Sequence, residues 1–357
     1  MSLYIKSLRM ARLMWKKVKR YLCLIISVII VLGATALYFP DEMDAIATAG
    51  VIDVEAVEVV ATEGTTQATT TTAATTEATT TAITTIATTA AQTTTTQAIT
   101  IDDNSPTAEI DRLLAQWGNT ISVYYENLST GFIYRHNANR EYFGASLTKA
   151  LLALMIYQMA EQGEASLDSV HSFTQADYRG GSGVIRHRYS VGATFTLRRL
   201  LELNLSYSDN ISTMILVRTF GIDSYRRFVA SVGGNPALVR ERVMNSQLTA
   251  NEAGIFARAI YAYLESEGRY SEEFRRHLLN NQFHFLARNG SDYPVASKTG
   301  WTDGRAWHDM AIVYAESPFI LVVMSARTGF TEQNFRDFNE ILRAFERFNG
   351  NIYEIYN

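Results

Sequence analysis

The feature that most constrains this chain is a stretch that cannot fold. Residues 61–100 are mostly threonine and alanine, with uninterrupted threonine at 69–72 and 93–96. Nothing in it repeats at the spacing of a helix or a strand. Such a segment cannot bury enough apolar surface to offset the entropy of ordering it. With the acidic, mixed residues that precede it, it predicts a disordered spacer over 41–103. At roughly 5–6 Å × √n, about 60 residues reach about 45 Å on average. Any globular core must therefore form within residues 104–357, long enough for one large domain.

The segment before the spacer reads as a membrane anchor. From Met1 to Arg20 every charged residue is basic: Lys6, Arg9, Arg12, Lys16, Lys17, Lys19 and Arg20. From Tyr21 to Asp111 there is no Lys or Arg. A basic arm raises the question of nucleic acid, but this one abuts the uncharged apolar run Tyr21–Phe39, about the length that spans a bilayer. Positive residues stay cytoplasmic. The expectation is a cytoplasmic arm (1–20), a single-pass signal anchor (21–39) and an extracytoplasmic remainder, with no nucleic-acid partner. The alternative is secretion after cleavage near Ala36, where Ala34-Thr35-Ala36 offers small residues. The only cysteine, Cys23, lies inside the apolar run. An exported domain without disulfides depends on its core.

Hydrophobic periodicity within 104–357 predicts α+β. Ser105-Pro106 resembles a helix start, with Ile110, Leu113, Leu114 and Trp117 at helical spacing. Ile121–Leu128 and Phe132–His136, joined by Ser129-Thr130-Gly131, read as a hairpin. Helical segments follow at 147–162, 196–205, 210–220, 223–232, 250–266 and 271–280. Strand patterns return at 295–299, 307–315 and 319–326, and an amphipathic helix covers 332–348. The two strand groups can form one antiparallel sheet flanked by the terminal helices. The helical block then makes a second lobe, with a cleft between the two.

Three short patterns carry chemistry. Ser146-Leu147-Thr148-Lys149 opens an apolar helix, and residues three apart on a helix share a face. A partly desolvated lysine there can be neutral and accept the serine proton. Ser208-Asp209-Asn210 lies between two helices: its hydroxyl could relay a proton and its amide could hold a carbonyl, although all three residue types also cap helices. Lys298-Thr299-Gly300 ends a strand. Lysine and threonine can grip a carboxylate, and glycine lets the strand edge approach another backbone. Each alone is as well explained by capping or a turn.

Together, in this order and context, the three resemble the set of the class A β-lactamases and penicillin-binding proteins. The resemblance covers 104–357 and implies a β-lactamase/DD-peptidase-like domain. It implies that Ser146 is the acylated nucleophile, Lys149 its base or the base's partner, and Ser208 a proton shuttle. Asn210 lines the site, Lys298 and Thr299 bind the substrate carboxylate, and the N–H groups of Ser146 and Trp301, just past Gly300, form the oxyanion hole. Neither cofactor nor metal is implied, and the histidines show no ligand spacing. Class A enzymes deacylate with a glutamate in a Glu-x-x-x-Asn stretch. Glu241 and Asn245 have that spacing, but Val239 stands where family members usually have arginine. Alignment on Arg242 instead puts Met244 at the glutamate's place. Arg305 and Arg327 are candidates for extra carboxylate binding, His308 is read as structural, and Gly180-Gly181-Ser182-Gly183 as a flexible turn at the cleft rim.

The expected function is a membrane-anchored serine hydrolase that opens β-lactams through an acyl-enzyme on Ser146, as a monomer. One alternative is a D-Ala-D-Ala peptidase that acts on peptidoglycan stem peptides and is trapped by β-lactams. Another is a catalytically silent cell-wall-binding module. A buried glutamate facing Ser146 would favour the first, and a solvent-facing one the second.

Overall fold

The computed structural model of the protein describes residues 105–327 and 329–356, with side chains to 352. The basic arm, the apolar run 21–39 and the spacer lie outside the described residues. Among those described, no helix is long and apolar enough to cross a membrane.

In chain order the elements are α1 (Ala108–Ala115), β1 (Ile121–Asn127), β2 (Ile133–His136), β3 (Tyr142–Phe143), α2 (Thr148–Glu161), β4 (Val170–Ser172), α3 (Ile185–Arg188), β5 (Thr194–Thr196), α4 (Leu197–Ser206), α5 (Asn210–Phe220), α6 (Ile222–Ser231), β6 (Gln247–Leu248), α7 (Ala250–Leu264), α8 (Ser271–Leu279), β7 (Val295–Thr302), β8 (Ala306–Val313), β9 (Phe319–Ser325) and α9 (Glu332–Tyr356). The architecture is α+β, as the periodicity predicts. Five antiparallel strands run in the order β2-β1-β9-β8-β7. The hairpin from the start of the domain thus joins the strands from its end through β1 and β9.

Both faces of this sheet are covered, so β1, β8 and β9 are buried at every position. Successive strand residues point to opposite faces, and the core divides accordingly. Val123, Tyr125, Leu321 and Val323 pack with Ile110 and Leu114 of α1 and with Phe338, Ile341, Leu342 and Phe345 of α9. Tyr124, Met310, Ile320, Val322 and Met324 face the helical lobe. On α9 the apolar residues recur at three- and four-residue steps, the stripe a surface helix needs. Helix α2 is different: Leu151–Tyr157 is buried throughout. A helix apolar all round must lie in the interior, and α2 is the central helix of the lobe. Each fully buried Leu, Ile or Phe there contributes about 1.5–3 kcal/mol.

Differences from the sequence reading sit at element ends and at short elements: β7 runs on to Thr302, past the Lys298-Thr299-Gly300 expected to end it, because it pairs with β8 through Trp301 and Thr302, and α9 runs to Tyr356 rather than 348. Helix α1 starts at Ala108, with Ser105 accepting from Thr107 N through its hydroxyl at 3.3 Å rather than acting as the N-cap. The ladders β3–β6 and β4–β5 and the single turn α3 were not foreseen. Outside a hairpin with a clear turn, segments of two to four residues carry too little periodicity to read.

Helix α7 meets the sheet at Gly254, where an added Cβ would lie 2.5 Å from Tyr124 Cδ1. The tyrosine is fixed there by its bond to Glu126 (2.7 Å) and by Arg258 (2.8 Å). Gly254→Ala is therefore expected to force α7 off the sheet and destabilise the domain by roughly 1–3 kcal/mol. Urea unfolding would read this as a lower midpoint with an unchanged slope.

Candidate active site

Ser146 sits where three elements meet. It lies in a single 3-10 turn, Ala145–Leu147, that runs directly into α2. Ala145, just before it, has φ +47, a left-handed conformation that costs a residue with a Cβ about 1–3 kcal/mol. The surroundings hold this turn from three sides. Gly144 N–H donates to Ser246 O at 2.8 Å. His308 bonds Phe143 O through Nε2 at 3.0 Å, and its Nδ1 accepts from Ser325 N at 3.1 Å. The imidazole is therefore neutral with its proton on Nε2, and burial pushes its pKa down to about 4. The expectation that His308 is structural agrees with these bonds.

The third side is β7, the sheet's outer strand. A Cβ at Gly300 would lie 3.1 Å from both Gly144 O and Leu147 N. A side chain here would have to push the serine turn back by a few tenths of an ångström, so glycine suits the close approach of the strand edge.

Two lysines converge behind the serine. Lys149, one helical turn on, is buried and donates to Asn210 Oδ1 (2.7 Å), to Ser208 O (2.5 Å) and to Ser208 Oγ (3.3 Å). Lys298, on β7, is also buried and donates to the same Ser208 hydroxyl at 3.0 Å and to Thr299 O at 3.0 Å. When Lys149 carries its third proton, both acceptor positions of Ser208 Oγ face lysine donors and the hydroxyl proton is left to give elsewhere; when Lys149 is neutral, its lone pair can accept from that hydroxyl instead. Burial drives the Lys149 pKa well below its usual value, and the Lys298 charge pushes the same way, against a pull from Asp209. Burial lowers Lys298 to about 7, partly opposed by Asp309. Two ammonium groups sharing one hydroxyl cannot both hold their protons comfortably.

Ser208 has φ +52, and the segment around it is tied down. Asp209 caps α5 through Ser212 N (2.9 Å), and its other oxygen accepts from Val184 N (2.6 Å) and Ile185 N (2.8 Å). Asn210 Nδ2 donates to Gly180 O at 2.8 Å, and Ser182 Oγ donates to Ser208 O at 2.9 Å. A Cβ at Gly183 would lie 2.4 Å from Asp209 Oδ2. The segment 180–183, expected as a flexible turn at the cleft rim, does border the cleft, and it is bonded as a strap to Ser208 and Asn210.

In front of these groups is a pocket of about 280 Å³ lined by Phe143, Ala145, Ser146, Gly180, Gly181, Ser182, Asn210, Met244, Asn245, Trp301 and Thr302. Ser146, Asn210 and Trp301 reach its wall. Lys149, Ser208, Lys298 and Thr299 lie behind it, and the Thr299 hydroxyl is buried with no hydrogen-bond partner among the described residues. Among the described residues, no titratable carboxylate lines the pocket.

A sequence profile of the "Beta-lactamase enzyme family" matches residues 105–345. The chain belongs to that family. Among curated relatives, Beta-lactamase ROB-1 of Haemophilus influenzae is 31% identical over 121 residues, which span 34% of this chain and 38% of that enzyme. Among solved structures, a beta-lactamase from Sphaerobacter thermophilus superposes with a TM-score of 0.59 at 24% identity, over 70% of this chain and 98% of that one. PBP-A superposes with a TM-score of 0.59 at 16% identity, over 68% and 96%. At these identities the superpositions establish a shared fold.

Glu241 stands apart from the other candidates of this family set. Its side chain is 87% exposed and pairs with Arg226 at 3.1 Å. Met244 and Asn245, from the same stretch, are the residues in the pocket wall. Arg327 is also engaged elsewhere, with Asp337 and over the Trp117 ring. Sequence reasoning missed Phe143, Ala145 and Thr302 as pocket residues. Met244 and Asn245 had a signal in the two alignments of the Glu241 stretch, and Gly180, Gly181 and Ser182 in the turn read at the cleft rim.

If Lys298 binds a substrate carboxylate as a cation, the second-order rate of acylation by benzylpenicillin is expected to fall as pH rises through about 7, where Lys298 loses its proton. Lys298→Arg, charged throughout, should move that limb to higher pH. An unchanged limb would show that another group sets it.

Proposed function

We propose that this domain is a serine acyl-transfer hydrolase of peptide-like amides whose acyl-enzyme is slow to hydrolyse. On this reading it is a D-Ala-D-Ala peptidase acting on peptidoglycan stem peptides and covalently trapped by β-lactams. The observation that carries the second half is the pocket wall: Met244 and Asn245 occupy it, while Glu241 faces solvent and Arg226. Acylation needs no carboxylate there, whereas fast deacylation gains from a general base set to activate water at that wall, and among the described residues no carboxylate stands there to do so.

The residues divide the work as follows. Neutral Lys149 takes the Ser146 proton as Oγ attacks the amide carbonyl. The tetrahedral oxyanion is held by the N–H groups of Ser146 and Trp301. Ser208 passes its proton to the leaving nitrogen as the C–N bond breaks and recovers one from the lysines. Asn210 positions the substrate, and Lys298 and Thr299 take its carboxylate. Water then attacks the ester and gives a proton to Lys149, the acid leaves as the bond to Oγ breaks, and Ser146 Oγ takes its proton back from Lys149. The lowered Lys149 pKa, the shared Ser208 contacts and the close fit of Gly300 to the serine turn support these roles.

A second reading, a β-lactamase with rapid turnover, is favoured by the 31% identity to ROB-1. Tethering outside the membrane by residues 21–39 is part of the proposal and rests on the charge and hydropathy of the sequence. Cleavage near Ala36 would instead release the domain.

Intact-mass spectrometry of the protein with benzylpenicillin is expected to show one covalent adduct, lost in Ser146→Ala, that persists for many minutes. Rapid decay to free enzyme would favour the β-lactamase reading. No adduct on folded protein would leave a silent wall-binding module. Met244→Glu is expected to shorten the adduct lifetime by roughly 10²-fold, the usual worth of a positioned general base, while Met244→Gln should not. Equal lifetimes for the two variants would show that residue 244 does not face the acyl carbonyl.

A further inference from the structure

The chain carries a formal net charge of −4, yet from Tyr178 to Leu201 it has Arg179, Arg186, Arg188, Arg198 and Arg199 and no Asp or Glu. The start of that stretch is the strap that supplies Gly180, Gly181 and Ser182 to the Ser146 pocket. Arg186 donates from Nη1 to Gly181 O at 2.9 Å, which fixes its half-buried guanidinium at this wall. A guanidinium has five donors, and the bond to Gly181 leaves the rest available.

A second cation stands at another wall. Phe143 lines the pocket, and the guanidinium carbon of Arg305 lies 5.4 Å from its ring centroid. Arg305 is exposed. Among the described residues neither Arg186 nor Arg305 pairs with a carboxylate, although Asp303 is two residues from Arg305. Arg226, Arg258, Arg327 and Arg343, by contrast, each meet an acidic partner. Neither arginine lines the pocket itself, but each is held against a residue that does, and two such cations without a carboxylate partner beside an acid-free wall favour an anion at the mouth. Arginine is the residue suited to a carboxylate, because its planar fork matches the two oxygens and is weakly hydrated.

We propose that Arg186 and Arg305 form a second carboxylate subsite at the mouth of the Ser146 pocket. The preferred substrate then carries a carboxylate on its acyl side, beyond the one assigned to Lys298 and Thr299. The inference rests on the acyl-enzyme reading. Lys298 and Thr299 serve the leaving side, and the walls of Gly181 and Phe143 are left for the portion retained on Ser146. An acidic stem peptide with a free side-chain carboxylate has this chemistry.

The test compares two penicillins that differ by one carboxylate on the acyl side chain: benzylpenicillin and α-carboxybenzylpenicillin. Second-order acylation rates are measured at low and high salt by intact mass. Arg186→Glu/Arg305→Glu is expected to slow the dicarboxylate roughly tenfold more than benzylpenicillin at low salt, and salt should shrink the difference, since rim charges act mainly on association. Arg186→Gln/Arg305→Gln, a milder change, should shift the ratio in the same direction and serves if the charge reversal fails to fold. A ratio of the two rates unchanged in both variants would overturn the subsite while leaving the acyl-enzyme reading intact. No adduct with either penicillin on the folded wild-type protein would overturn that reading, and the subsite with it.

Discussion

The site depends on desolvating two lysines beside one hydroxyl. An ammonium group prefers water, and an isolated one in a protein interior loses its proton before it tolerates burial. Lys149 and Lys298 are nonetheless enclosed, one from the central helix of the helical lobe and one from the sheet's outer strand. Ser208 is the meeting point of both. Their mutual repulsion and their burial act in the same direction, and together they hold the Lys149 pKa well below its usual value. Neither lobe produces that environment alone.

Keeping these groups in place requires backbone conformations that a chain does not adopt freely. Ala145 and Ser208 both sit at positive φ, one beside the serine and one at the shared hydroxyl. Strain of this kind persists only where the surroundings over-determine the local geometry. Here the determinants are the bonds from Gly144 to Ser246 and from His308 to Phe143, the Asp209 contacts to Val184 and Ile185, and the close fit of Gly300 against Leu147. Most of these partners lie far apart in the chain.

That distance explains which parts of the site were legible in the sequence. Ser146, Lys149, Ser208, Asn210, Lys298 and Gly300 fall in short patterns whose order is informative, and their side chains and backbones do meet. Phe143 and Ala145 belong to no pattern, and the stretches that hold Ser182 and Asn245 did not by themselves place them at the wall, because these residues reach the pocket through the β3–β6 pairing and the strap over Asn210, contacts that no local spacing encodes. The stretch around Glu241 shows the limit most clearly. Its spacing admitted two alignments, and only the packing of Val243 beneath the serine turn, with Arg226 holding Glu241 outward, sends Met244 rather than a carboxylate to the wall.

The sequence by itself determined the α+β class, the five long strands, most of the helices and the three chemical patterns. Each of these is written in the period of hydrophobic residues or in the identity of near neighbours, and such signals survive without a partner. Tertiary structure decided the protonation tendencies of the two lysines, the acid-free wall of the pocket and the separation of Glu241 from Ser146. Those properties arise from desolvation and from contacts between residues tens to hundreds of positions apart, and neither exists until the chain has closed on itself.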